Sequence, residues 1–385
     1  MTGPVVVAGG GLAGAAAATL LACAGRPVML FERHTAAVDK ICGEFLSGEA
    51  CRHLAALGVD LAALGAHPIR ALRLLRGRRL VEVALPFPAF GLSRRVLDEA
   101  VLARAAAAGA ELRRGQAVVQ AAPGAGGAVG LTLADGAFCH ADVLFLATGK
   151  QDLRGVRRPV ADRPDDLVGF KLHFVLAPPQ LQALRHHVEV LLFPDGYAGL
   201  QPVEAGQANL CLLIRRARLD RAGGNWEALL GDLRRSSPHL DARLDGALAQ
   251  ADRPLTISRV PFGFLHAPSA ADPAGLWRLG DQAAVIPSFT GDGMAIALHS
   301  AALAARMLLA GQGAGDYHRR LRADIAGPVR RATALYRLGR WGPGQAGIMT
   351  AAALFPPGLR LAAALTRVPE AATARLAVPN EVPIG

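Results

Sequence analysis

The first thirty-three residues commit this chain to an α/β beginning. Pro4-Val5-Val6-Val7-Ala8 is a short apolar run with β-branched residues. Gly9-Gly10-Gly11-Leu12-Ala13-Gly14 follows at once, and Ala15 to Cys23 is a run of small residues and Leu. A second apolar run, from Arg26, ends on Glu32. The order is strand, tight turn, helix, strand, carboxylate. Gly9, Gly11 and Gly14 fill the G-x-G-x-x-G spacing. There the first glycine permits the turn, the second lets a pyrophosphate approach the backbone, and the third lets the helix pack on the strands. Leu12 and Ala13 fall in the first helical turn, whose free N–H groups and positive dipole end suit phosphate. Glu32 lies eighteen residues after Gly14, where a carboxylate can bind a ribose 2′-hydroxyl, as in NAD or FAD, and disfavours a 2′-phosphate. The segment is a poor secretory leader, because no basic stretch precedes it and three consecutive glycines interrupt it.

At 385 residues with 52% apolar content, the chain is long enough for one large or two intimate domains. Its five cysteines (Cys23, Cys42, Cys51, Cys139 and Cys211) form no C-x-x-C and no metal spacing. An odd count without a framework points to a reducing, cytoplasmic setting. The net charge is +11, yet Lys40, Lys150 and Lys171 are the only lysines and aromatics make up 5%. Basic residues interleaved with aromatics, the pattern of nucleic-acid binding, are missing, so no nucleic-acid partner is expected. His186-His187 does not suggest a metal pair, since neighbours on a strand face opposite ways, and no metal site is expected. No apolar run has the uninterrupted length of a membrane span.

Further along, Ser47 is placed to cap a helix through Leu57, with Glu44 and Glu49 near its positive end. Gly43 permits close backbone approach to a ligand. Residues 67–83 predict two strands with a turn near Gly77, and Pro86-Phe87-Pro88 an extended piece. Ser93 predicts the N-cap of an Ala-rich helix that ends at Gly109. Short β runs follow at 117–121, 128–133 and 137–140, then a buried-type strand over 142–149 that ends in Thr148-Gly149. Sheet is expected at 168–176, 188–193 and 209–214, with Tyr197 and Gln201 flanking a glycine turn between them. Helices are expected at 225–236, 240–250, 294–309 and 316–341. The apolar stretch 346–366 is split by Pro356-Pro357, and the last fifteen residues are expected to be loosely ordered. A βαβ start, an antiparallel middle and a return near residue 276 describe interleaved domains. Residues 1–66, 92–165 and 270–312 form the nucleotide domain, 67–91 and 166–269 the sheet-based substrate domain, and 313–385 a C-terminal helical region.

Four stretches together resemble the flavoprotein oxidoreductases of the para-hydroxybenzoate hydroxylase type. They are the fingerprint to Glu32, the Arg94-x-x-Leu97-Asp98 helix start, the strand to Ala147-Thr148-Gly149, and Gly280-Asp281-Gln282-Ala283 with Pro287 and Gly291. Within that group, Cys42-Gly43-Glu44-Phe45-Leu46 looks like the Cys-Gly-x-x-Leu motif of the geranylgeranyl reductase branch, and Gly196-Tyr197 with Gln201-Pro202 is similar to that branch's sheet. The resemblance implies a Rossmann-type FAD-binding domain interleaved with an antiparallel-sheet substrate domain. It implies FAD as cofactor, with NAD(P)H as a transient reductant because no second fingerprint exists. Gly9, Gly11, Gly14 and Glu32 would hold the ADP half, Arg33 would cover the adenine, and Arg94 would reach the pyrophosphate. Asp281 would bind ribitol hydroxyls. Gly291, Asp292, Gly293 and Met294 would set backbone N–H groups against the flavin's pyrimidine edge. The family usually shows Asp-Gly where this chain has Thr148-Gly149, which weakens the link to reduced nicotinamide.

Several side chains carry two readings. Cys42 is either a thiol acting near the flavin or a packing residue. Lys171 and His173 share a strand face and either line the substrate cavity or form a solvated or salt-bridged pair. Tyr197 either lines the same cavity or packs. Asp292 caps the following helix, acts on the flavin, or does both. The Arg-rich 318–340 segment is either a solvated helix face or a peripheral membrane contact. The expected function is an FAD-dependent oxidoreductase on a lipophilic small molecule: a monooxygenase of a phenolic or polyketide-like compound, or alternatively a reductase of isoprenoid double bonds. A flavin-binding protein without activity is the third reading.

Overall fold

The computed structural model describes residues 3–159, 166–269 and 272–376. The predicted opening forms as Val5–Ala8, the Leu12–Cys23 helix and Val28–Glu32. These strands belong to a five-stranded parallel sheet whose order is Leu276–Arg278, Leu144–Leu146, Val5–Ala8, Val28–Glu32, Glu111–Arg114. The chain therefore leaves this sheet after residue 146 and returns to it at residue 276. The Leu12–Cys23 helix is buried almost all round, because Ala and Gly let it lie close to the strands on one side and to the Arg94–Ala107 and Gly293–Leu309 helices on the other.

The second layer is a nine-stranded sheet among the described residues. Its central strands, Leu167–Val175, Gln207–Arg215, Gly196–Pro202 and His187–Phe193, run antiparallel in turn. His187–Phe193 then pairs parallel with His67–Arg76, and Arg79–Gly91 and Phe45–Leu46 complete that edge. One face packs Phe170, Leu172, Leu210, Leu212 and Leu200 against the Trp226–Ser236 and Pro238–Arg243 helices. The other face looks towards the nucleotide domain and the C-terminal helices.

Two expectations need correction. Residues 196–202 are a strand, not a turn: Gly196 sits where an added Cβ would lie 2.4 Å from the Leu213 carbonyl oxygen, so small residues permit close pairing there. The helix expected over 240–250 shortens to Pro238–Arg243, and Leu248–Ala249 instead pairs with the end of Leu167–Val175. Of the last fifteen residues, 371–374 complete the Glu370–Ala374 helix, and 377–385 lie outside the described residues. No single described helix is long and apolar enough to cross a membrane.

Candidate functional site

The glycine turn has the shape of a nucleotide cradle. Gly9 has φ 107°, and a Cβ there would lie 2.5 Å from the Ala147 carbonyl oxygen; at Gly14 one would lie 2.0 Å from the Gly9 oxygen. Gly11 differs, because a Cβ there would point at Lys40 Nζ (3.4 Å) and Arg94 Nη2 (3.8 Å). The backbone at Gly11 thus lies beside two cations, and the Leu12–Cys23 helix begins there with no side chain capping its N–H groups. Glu32, buried, accepts from the Gly10 N–H (2.8 Å) and the His34 N–H (3.0 Å), which hold its carboxylate in place beside the turn. These features fit an adenosine diphosphate group.

Arg94 is more constrained than its expected role requires. Its guanidinium forks onto Asp98 (2.8 and 2.9 Å), and Lys40 joins the same carboxylate at 2.7 Å. Burial opposes charge on both partners, but Arg94 and Lys40 hold the Asp98 pKa down, while Asp98 and Cys42 keep that of Arg94 up. Arg33, next to Glu32, donates to Gln151 Oε1 and to His34 Nε2. Thr148, in place of the usual Asp, turns its hydroxyl to the Gln151 carbonyl (2.6 Å). Gly149 (φ 64°) is held by the buried amide of Gln282, which donates to the carbonyls of Gly149 and Gln151 at 2.8 Å each. Gly280 (φ 55°) sits against Ala13, and Asp281, partly exposed, follows it. Pro287 opens the short turn that leads to Gly291 (φ 70°), and a Cβ at Gly293 or at Gly43 would meet nothing within 4 Å. Each of those two glycines therefore borders open space.

Asp292 does not cap the Gly293–Leu309 helix with its side chain, and its carboxylate is not free to act on a flavin. It accepts from Ser47 Oγ (3.1 Å), Arg367 Nη1 (3.2 Å) and the Val368 N–H (3.0 Å). Burial raises its pKa to about 6, against the pull of Arg367. Ser47 therefore spends its hydroxyl on Asp292 rather than on capping its own helix. The Met294 side chain is core, which leaves only its backbone for a ligand.

The polar centre of the molecule lies on the large sheet. His173, Asn209 and Gln201 are opposite one another in register; Lys171, Cys211 and Gly199 form the next row, and Gly169, Leu213 and Tyr197 the row after. Residues directly opposite share a face. Lys171, His173 and Tyr197 therefore face the same way, as the sequence pattern suggested for the first two.

Glu44, which the motif placed but whose role sequence reasoning missed, is the hub. It is fully buried at φ 60°, a conformation that costs a non-glycine residue energy unless its surroundings enforce it. One carboxylate oxygen takes the Lys171 ammonium (2.5 Å) and the Arg94 N–H (2.8 Å), and the other takes His173 Nε2 (2.7 Å). The motif loop is pinned by its carbonyls. Ile41 O accepts from Lys150 (3.0 Å), Cys42 O from Asn209 (3.0 Å) and Glu44 O from Gln201 (2.7 Å). All three lysines of this arginine-rich chain converge on residues 39–44 and the adjoining helix start.

Asp39, Glu44 and His173 present ligand atoms within 4.8 Å of one another. Lys171 Nζ occupies that position, bonded to Glu44 and 3.5 Å from Asp39, so the group already holds its cation. Cys42 Sγ accepts the Glu44 N–H at 3.3 Å, a contact that shapes the loop. Asn209 Oδ1 is buried and lacks a hydrogen-bond partner among the described residues, which leaves a spare acceptor on this face of the sheet. Tyr197 lies at the apolar end of this face: its hydroxyl meets Ser288 Oγ (2.5 Å), its ring stands edge-on to Phe289, and burial raises its pKa. There Leu74 and Leu192 pack under Met349 and Ala352 of the Gly342–Leu354 helix.

Comparison with known proteins decides the cofactor. Residues 2–123 match the family model described as FAD binding domain. The chain is an FAD-dependent oxidoreductase. It is similar to a menaquinone reductase of Mycobacterium tuberculosis, 29% identical over 320 residues that cover 79% of this chain and 76% of the relative. Among solved structures, the flavin-dependent brominase Bmp2 superposes with TM-score 0.76 at 19% identity, covering 97% of this chain and 96% of that one. The probable FAD-dependent monooxygenase pqsL from Pseudomonas aeruginosa does so with TM-score 0.73 at 20% identity, covering 90% and 99%. At those identities the two structures establish the fold.

Proposed function

We propose that this flavoprotein is a monooxygenase that hydroxylates a lipophilic phenolic or polyketide-like small molecule on the inner face of the large sheet. The observation that carries the reading is the buried Glu44–Lys171–His173 cluster. Burying three ionisable groups is costly unless they are paired and used. The three groups neutralise one another, and the polar face they form can hydrogen-bond a phenol or enol, which a plain hydrocarbon cannot use. FAD, when bound, supplies the redox chemistry, with oxygen as the co-substrate and NAD(P)H as a visiting reductant.

The chain's own residues then divide the work. The Gly9–Gly14 turn, Lys40 and Arg94 hold the pyrophosphate, Glu32 the ribose and Asp281 the ribitol. The N–H groups after Gly291 would bind the ring's polar edge. Lys171 holds the substrate oxygen as an anion. His173, oriented through Nε2 by Glu44, takes the phenolic proton on Nδ1. Asn209 Oδ1 orients the substrate, and Tyr197 with Leu74, Leu192 and Met349 accommodates its apolar part.

A second reading is supported by the menaquinone reductase relatives and by the apolar end of the same face. In this geranylgeranyl reductase-like alternative, an isoprenoid chain lies along Leu74 and Leu192, and protonated His173 donates a proton to the double bond. The two readings part on what reoxidises the reduced protein. Dithionite-reduced holoprotein is offered either a phenolic lipid with oxygen or a polyprenyl quinone without it. Hydroxylated product only in the first case supports the proposal. Anaerobic reoxidation with a product that gains two hydrogens replaces it with the reductase reading.

A further inference from the structure

We infer that the outer face of the C-terminal helices is a docking surface for an anionic lipid bilayer. The Gly342–Leu354 helix and the run Pro356–Ala374 meet at 114°, so the pair is not one straight span and can lie along a bilayer. The corner and the helix after it carry their apolar residues outwards. Pro356, Pro357, Arg360, Leu361, Ala364 and Leu365 recur along one exposed stripe at helical spacing, with Leu354 and Phe355 at the corner. Leu354 is 82% exposed, Phe355 60% and Leu361 57%. A helix packed on a soluble core shows the opposite pattern, polar outwards and apolar inwards. Half of the exposed large hydrophobic residues in the described structure fall between Leu338 and Leu365, which makes this a patch rather than scatter.

Charge selects the occupant. Residues 325–369 contain six arginines and no Asp or Glu. Of these, Arg367 and Arg340 are engaged by Asp292 and Asp166, and Arg331 lies at the end of the stripe, its Nε on the Leu365 carbonyl (2.6 Å). Arg360 stands within the stripe itself, and Arg79 reaches the neighbouring helix at Thr350. A second copy of this chain would bring like charge against like charge. A bilayer bearing anionic headgroups supplies both the apolar interior for Leu354, Phe355 and Leu361 and the negative surface for the arginines. The inference stands on this surface alone and is independent of the reaction proposed above.

The test uses full-length holoprotein sedimented with vesicles of phosphatidylglycerol and phosphatidylcholine, or of phosphatidylcholine alone. We expect wild type to sediment with the anionic vesicles. The double variant Leu361→Asp, Leu365→Asp should bind at least about tenfold more weakly, and Arg360→Glu several-fold more weakly. Flavin content and melting temperature should stay unchanged, since these side chains are exposed. Any of four results overturns the inference: wild type left in the supernatant, binding indifferent to lipid charge, variants that bind as wild type does, or a wild-type dimer that the double variant splits without any vesicle binding.

Discussion

The nucleotide cradle and the face of the large sheet both hold polar groups, and they do so by opposite means. The cradle is backbone: Gly9, Gly11 and Gly14 matter because of the side chains they lack. The sheet face is side chain: Lys171, His173, Gln201 and Asn209 reach it from three strands and meet a loop more than a hundred residues earlier. In the cradle, the task is local in sequence and tolerates no added atom. On the sheet face, pairing register does the assembling, and each member depends on its partners for neutralisation.

The contrast predicts failures of different kinds. The largest should come from Gly14→Val, whose Cβ would lie 2.0 Å from a backbone oxygen. Backbone cannot yield as a side chain can, so we expect a loss of about 3 kcal/mol or more and a colourless protein, read by thermal unfolding and flavin release. Survival of yellow, stable Gly14→Val would remove the distinction between the two regions.

A smaller effect is expected at Glu189, on the large sheet away from the cradle. Burial alone would raise its pKa, but hydrogen bonds from His239 and Arg243 hold it at about 2. A carboxyl depressed in the folded state stabilises the fold above its unfolded pKa, near 4.5, and that contribution is lost as pH falls towards 2. Wild type should therefore lose ~3 kcal/mol through this group over that window. In Glu189→Gln that part of the acid limb should be flat, as measured by denaturant titration at successive pH values.

The sequence displayed the cradle almost whole. Its strand, turn, helix and acid are contiguous, and each glycine has a fixed local duty. Arg33, assigned to the adenine from its place beside Glu32, instead engages Gln151, 118 positions away, a contact no local pattern shows. Lys171 and His173 were visible as a pair by alternation, but Glu44 was not. Nothing in a Cys-Gly-Glu tripeptide announces a left-handed backbone whose carboxylate meets residues 171 and 173. The Gly196–Pro202 strand was hidden for a related reason: its glycines read as a turn, whereas they permit close pairing with Gln207–Arg215. The Asp292–Arg367 pair joins residues 75 positions apart, beyond the reach of any local pattern.

The smallest effect should come from Cys42→Ser. Its sulfur accepts the Glu44 N–H at 3.3 Å and lies beside the Arg94 guanidinium, contacts that a serine hydroxyl can replace, so FAD should remain bound and turnover should stay within about tenfold of wild type, well short of the loss from removing an acid–base group. A thousandfold loss with full flavin would make the thiol part of the chemistry.

The division of labour is tested most directly by measuring flavin occupancy and turnover on one sample of Glu44→Gln. The amide keeps the shape of the hub but cannot neutralise Lys171 or orient His173 as a carboxylate does. We predict FAD bound as in wild type and turnover lowered about a hundredfold or more. Unchanged turnover, or turnover that falls only in step with lost flavin, would contradict a catalytic face separate from the cradle.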